Sequence, residues 1–263
     1  MNLQSFGTHL QMIEVPSPTI PPATTTNAWI IGEHQKWIVD PAAHILENQE
    51  SLLSLIQPLN LTGIFLTHHH KDHIASAVFL KERLNIPILA HQKNQPFWSF
   101  PIDHFLQEDD VFEGWQFIHT PGHAPGHLCA LHQQSGDMIA GDMVAGIGTI
   151  LINPKEGSIR EYLNSLEKMQ KHHPQRLLPA HGPILSNAID AIQTYIQHRH
   201  QRLLQIEKQL CSTPQNTLGL AKEIYQELPT HFLGIAAIQL ECGLIYLAEE
   251  GRAAQVSEGW IAI

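Results

Sequence analysis

The chain has 263 residues, 43% of them apolar and 15% charged, with a formal net charge of −10. That size and balance fit one sizeable globular core with room for a small appendage. The acidity argues against broad electrostatic capture of nucleic acid or anionic membrane, although residues 155–210 carry 8 basic against 5 acidic side chains.

In chain order, "LQMIEV", "AWIIG" and "KWIVD" read as short strands, with Gly32 punctuating the last two as a hairpin. Residues 45–57 have helical apolar spacing that stops before Pro58. "TGIFLT" is a continuous apolar run and reads as a buried strand. A helix is expected over 73–85, then the strand "IPILA". Residues 115–152 are strand-rich, with "WQFIHT", "HLCALH", "DMIAGD" and "IGTILI" as four expected strands. A helix near 158–172 and the strand "RLLPA" follow. From about residue 187 one long helical pattern, with Asn187 as its cap, leads to two further helices and the hairpin-like tail "GRAAQVSEGWIAI". Helices ending in a hairpin predict a small winged-helix-like appendage. The expected division is residues 1–190 as the main domain and 191–263 as linker helix plus appendage.

No apolar run reads as the ~20-residue segment that spans a membrane. The start "MNLQSFGTHLQMIEV" has neither the basic beginning nor the apolar core of a secretory signal. Cys129, Cys211 and Cys242 are odd in number and far apart, so neither a disulfide framework nor a Cys-x-x-Cys knuckle is expected. They read as buried small apolar side chains in a reduced cytoplasm.

The strand "TGIFLT" runs directly into "THHHKDH", residues 67–73, with four histidines and an aspartate in seven positions. Chemistry in α/β sheets commonly sits at the carboxyl ends of strands. In an extended segment His68 and His70 face one way and can grip the same ion. Asp72 and His73 follow where the chain turns into a helix and can face a neighbouring ion. Imidazole and carboxylate suit zinc and other divalent first-row metals. "HTPGHAPGH" adds His123 after a strand, "IAGDM" adds Asp142 at the end of another, and "LPAHGP" adds His181 at the end of a third. Seven ligand-type residues from four strand ends make two metal sites with one carboxylate left to bridge. His69 is expected to point away from the ions, toward solvent or toward a supporting contact.

The order HxHxDH, then His, Asp and His, resembles the metallo-β-lactamase-fold hydrolase superfamily over residues 10–185 or so, and "WIVDPA" resembles its first motif. The resemblance implies an αββα four-layer sandwich with the site between its two sheets. It implies His68, His70 and His123 on a first metal, Asp72, His73 and His181 on a second, and Asp142 bridging. Asp40 and His127 would support the ligands from behind. Two divalent ions, zinc first and iron or manganese as alternatives, would turn a bridging water into hydroxide near neutral pH. Asp72 would also orient that nucleophile and pass its proton. Within the superfamily, lactamases that carry a cysteine at the position of Asp142, capped nucleases and diiron flavoproteins fit less well. Glyoxalase II is close in its motifs. The whole chain most resembles the β-lactamase-like protein 2 group, through "TTTNAWIIG" and "LPAHGP…YIQHRHQRLLQI". One departure stands out: the family usually reads DHxGG, and this chain reads "DHIASA".

On the long helix, Arg199 and Arg202 share a face and are expected to clamp an anionic substrate, beside His198 and His200. The expected reaction is hydrolysis of a small-molecule thioester or ester. Single-stranded RNA cleavage is the alternative, and a non-catalytic metal-binding protein the third reading. A homodimer and a cytoplasmic location are further expectations.

Overall fold

The computed structural model describes residues 1–263. Seven strands form one sheet in sequence order: β1 (Leu3–Ser5), β2 (Leu10–Pro16), β3 (Thr25–Ile31), β4 (Trp37–Val39), β5 (Gly63–Phe65), β6 (Ile88–Ala90) and β7 (His104–Phe105). Pairing is antiparallel from β1 to β4 and parallel from β4 to β7. The hairpin expected around Gly32 is present, with Trp29 opposite Val39. A second sheet holds β8 (Val111–Phe112), β9 (Trp115–His119), β10 (Leu128–His132), β11 (Asp137–Gly141) and β12 (Arg176–Pro179), in the order β12-β11-β10-β9-β8. Its one parallel pair, β11 with β12, is joined by helix α4 (Ile159–Lys171), capped where the Ser158 hydroxyl accepts from the Glu161 amide.

Four layers follow from where the apolar side chains go. Trp29, Ile31, Val39 and Phe65 of the first sheet meet Phe117, Leu128, Ile139 and Leu178 of the second. The outer face of the first sheet, with Ile30, Ile38 and Ile64, packs on α1 (Leu46–Ile56) and α3 (Ala77–Leu84) through Leu52, Ile56 and Leu80. Outside the second sheet, α4 is amphipathic and buries Tyr162, Leu163, Leu166 and Met169. The same cluster takes in Leu203 and Ile206 of α5 (Ala188–Gln209), Leu220 of α6 (Thr217–Ile224) and Leu240 and Leu244 of α7 (Leu233–Glu249). The chain closes with the hairpin β13 (Ala253–Val256) and β14 (Gly259–Ala262).

Several expectations need correction. "IGTILI" is not a strand: no sheet partner reaches residues 147–151, and their carbonyls are used sideways, as described below. The helix expected over 73–85 is two, α2 (Lys71–Ile74) and α3, because Ser76 turns inward. Its hydroxyl donates to the Ala43 carbonyl at 2.7 Å and its amide to the Pro41 carbonyl at 2.8 Å. This is where the family's two glycines are replaced. One helical stretch, Thr230–Glu249, is long and apolar enough to cross a membrane. In the folded chain its Ala236, Leu240, Leu244 and Leu247 are buried.

Candidate metal centre

The site is assembled where four strands end. Past β4, Asp40 takes a positive φ of 49°, which turns its carboxylate toward the segment after β5. Asp40 Oδ1 accepts from the Thr67 amide at 2.8 Å and Oδ2 from the Thr67 hydroxyl at 2.7 Å. The same Oδ2 lies 2.8 Å from His73 Nδ1. With its proton given to Asp40, the Thr67 oxygen accepts from His68 Nδ1 at 3.0 Å. One buried carboxylate thus orients a histidine of each expected set.

Three ring nitrogens converge. His68 Nε2 is 3.0 Å from His70 Nδ1, and His123 Nε2 is 3.2 Å and 2.9 Å from those two atoms. His123 sits in the loop after β9, where Gly122 has φ 128°; a Cβ there would lie 2.2 Å from the backbone of Tyr162. The loop can therefore approach α4 only with glycine. A second convergence joins His73, Asp72 and His181, whose facing atoms lie within 4.8 Å of one another. Asp142 stands between the two. Its Oδ2 is 3.6 Å from His123 Nε2, and its Oδ1 is 3.6 Å from His73 Nε2 and 3.5 Å from His181 Nε2. The Asp142 backbone is held by its amide, which donates to His127 Nε2 at 3.1 Å. His127 in turn uses Nδ1 on the Thr120 hydroxyl. The expected supporting positions of Asp40 and His127 are thus occupied by groups that touch the ligand-type residues directly.

A cation fits this arrangement. Three imidazole nitrogens within 3.2 Å cannot all point lone pairs at one another without a charge between them. His73 Nε2 and Asp142 Oδ1 are buried with no hydrogen-bond partner, a costly state unless something else satisfies them. The donors are nitrogen and carboxylate oxygen, which suit zinc, iron and manganese.

The electrostatics of the two sets differ. Burial holds the His68 proton well below the usual range, and His73 and His70 add to this. Burial and His70 bring His123 down to about 4. His73 is the reverse: burial opposes its charge, yet Asp142, Asp40 and Asp72 together raise it well above 6.5. His181 is also raised, by Asp142 and Asp72 against burial. Asp72 is lowered to about 2, its burial outweighed by His73 and His181. Ligation needs neutral imidazole. Uptake by the second set should therefore release protons at pH 7, and its affinity should rise with pH through the raised values. His68 and His123 of the first set are already neutral. Titration calorimetry in buffers of different ionisation heat measures the proton count, and an equal count for both ions would contradict this assignment.

One residue was not singled out as a ligand or a support. Glu156, in a turn before α4, places Oε2 2.6 Å from His69 Nε2 and Oε1 3.1 Å from His70 Nε2. "PKEGS" falls between the last strand and the helix expected from the sequence. His69 points away from the convergence and, of its two expected surroundings, takes the supporting contact rather than solvent, being 8% exposed. It stacks on Phe97 with ring centres 4.0 Å apart. Trp98 Nε1 donates to its carbonyl.

A cavity of about 900 Å³ opens over the site and includes His70, Asp72, His123, Asp142 and His181 in its lining. Its walls are largely apolar: Pro18, Ile20 and Pro22 on one side, Ile147 and Ile150 on another, Leu228, Phe232 and Ile235 of the C-terminal helical region on a third. Arg199 and Arg202 both reach it, but they are not equivalent. Arg199 is 3% exposed, donates to the Ile150 carbonyl and lies over the Tyr162 ring. Arg202 lies over Tyr225, 4.3 Å from the ring centre. The other four arginines are each paired with a carboxylate; these two are not.

Residues 21–181 match the Metallo-beta-lactamase superfamily, and the chain belongs to that family. It is 29% identical over 210 residues to the Beta-lactamase-like protein 2 homolog of Drosophila melanogaster, covering 73% of this chain and 70% of the relative. It is 26% identical over 256 residues to a hydroxyacylglutathione hydrolase of Tolumonas auensis, covering 88% and 93%. Among solved structures, a beta-lactamase domain protein from Burkholderia ambifaria superposes with a TM-score of 0.87 at 18% identity, covering all of this chain and 94% of the other. The chain is thus a metallo-beta-lactamase-superfamily hydrolase with His/Asp groups placed to bind metal.

Proposed function

We propose that this chain is a dinuclear, zinc-first hydrolase of small-molecule acyl thioesters and esters. The observation that carries the reading is Asp142, which presents one oxygen to each of two ligand sets at the floor of a largely apolar cavity. Bound there, divalent ions would acidify a water and polarise a carbonyl. The chain's own groups supply the rest. Asp72, 18% exposed at its side chain and held as carboxylate, faces the cavity and can accept a hydrogen bond from the O–H of a water. The apolar walls can hold an acyl chain and exclude water. Similarity to a hydroxyacylglutathione hydrolase over most of both chains supports an acyl thioester.

The test is a panel on the zinc-loaded protein: octanoyl thioesters, a lactone and single-stranded RNA. Thioester turnover is expected, and RNA cleavage without acyl turnover overturns the reading. Metal analysis should give two ions per chain; a value at or below one under zinc excess would sink the dinuclear part.

The clamp proposal becomes sharper, because Arg202 has the freer guanidinium. Arg202→Ala should raise KM about tenfold for an anionic thioester such as S-octanoyl-3-mercaptopropionate and leave kcat within a few-fold, the pattern of lost uniform binding. A neutral N-acetylcysteamine thioester should be indifferent. Equal effects on both substrates would show that Arg202 only supports the fold.

A further inference from the structure

Five histidines face the two convergences, and each has its other ring nitrogen occupied. His68, His73, His123 and His181 present Nε2, with Nδ1 held by Thr67 Oγ1, Asp40, the Leu151 carbonyl and the Thr25 carbonyl respectively. His70 alone presents Nδ1, and its Nε2 is met by Glu156. Histidines that ligate metals usually donate the second N–H to a carboxylate or carbonyl, which fixes tautomer and ring orientation. Two of the first set's three holders, the Leu151 carbonyl and the Glu156 carboxylate, come from one short segment without regular structure.

That segment is tied down from outside the main sandwich. The Ile150 carbonyl accepts from Arg199 on α5, and the Ile152 amide donates to Gln239 on α7 at 2.8 Å. At its far end the Gly157 amide donates to the Asn153 carbonyl at 2.7 Å and the Ser158 amide to the Gly122 carbonyl at 2.9 Å. A Cβ at Gly157 would lie 2.5 Å from the Gly122 carbonyl oxygen, so the turn that aims Glu156 is pressed against the His123 loop. His69, fixed by Phe97 and Trp98, holds the second oxygen of Glu156.

We propose that residues 150–156 form a strap that orients the first metal set, with Glu156 as the positioning residue that makes His70 ligate through Nδ1 and His69 as the residue that keeps Glu156 in place. The second set has no group on the strap: its holders are Asp40, directly after β4, and the Thr25 carbonyl at the start of β3. The inference rests on the metal reading above, and its consequence is a loss confined to one of the two ions.

The experiment is a zinc titration of Glu156→Ala, Glu156→Gln and His69→Ala against wild type, using a chelating dye and proton–nitrogen long-range correlation spectra of the histidine rings. In metal-free wild type the His70 ring should carry its proton on Nε2. In Glu156→Ala that signature should become mixed, and first-set affinity should fall about 10–100-fold. The His73 and His181 signals should still respond at the wild-type zinc concentration. Glu156→Gln keeps an acceptor for His70 with almost no change in shape, so its loss should be smaller; His69→Ala should cost several-fold. Unchanged affinity and tautomer in Glu156→Ala overturn the proposal, as does an equal loss at both sets, which would mark Glu156 as a general structural residue. If wild type itself took up no zinc, the metal reading would fail, a result distinct from either.

Discussion

Asp142→Ala should lower kcat/KM for a thioester by about a thousandfold or more and loosen both ions together. Its two oxygens face the open side of the two sets: Oδ2 faces His123, and Oδ1 faces His73 and His181. Removing it also takes the main opposing charge from a raised His73. His73 then holds its proton less firmly, but two cations would have to sit together without the carboxylate between them. Zinc content by metal analysis and steady-state kinetics on one preparation check this. Retention of one tightly held ion with near-normal turnover would contradict the shared position of Asp142.

Asp40→Ala should have the largest effect on stability. Asp40 is 2% exposed and satisfies the Thr67 amide, the Thr67 hydroxyl and His73 Nδ1. Its removal leaves buried donors unpaired and His73 without its closest counter-charge. Breaking a buried pair on one side costs about 3–5 kcal/mol, so the metal-free protein should lose that much in urea unfolding. Asp40→Asn should lose less, because an amide oxygen can still accept one of the three bonds. An alanine variant within about 0.5 kcal/mol of wild type would show that water replaces the carboxylate without strain.

The ligand-type residues were legible because each lies at the end of an apolar run, and strand ends are read from such runs. His68 and His70 needed only the alternation of an extended segment. The long helix from Ala188 and the closing hairpin followed from periodicity and turn residues. What escaped detection depends on contacts between distant segments. "IGTILI" has the composition of a strand, but its carbonyls are taken by His123 and Arg199, more than 25 residues away in sequence on either side. Glu156 sits among turn-forming residues, and only folding brings it to His69 and His70. Arg199 and Arg202 look equivalent on a helix face, yet Tyr162 and Ile150 bury one of them. The inward turn at Ser76, which splits one expected helix, depends on the Ala43 and Pro41 carbonyls.

The strap also bears on how such proteins can be recombined. Swapping the C-terminal helices between relatives is an obvious way to graft a new cavity wall onto an old hydrolytic core. In this chain the graft would not be modular. Arg199 and Gln239 belong to the exchanged part, while the Ile150 carbonyl and Ile152 amide they hold belong to the recipient. A chimaera that replaced either side chain would slacken the backbone behind His123 and His70 and bind its first ion less well, even with every ligand intact. Donors with a basic donor and an amide acceptor at those two positions should give metal-replete chimaeras, so those two positions are a natural first filter when choosing among donor sequences.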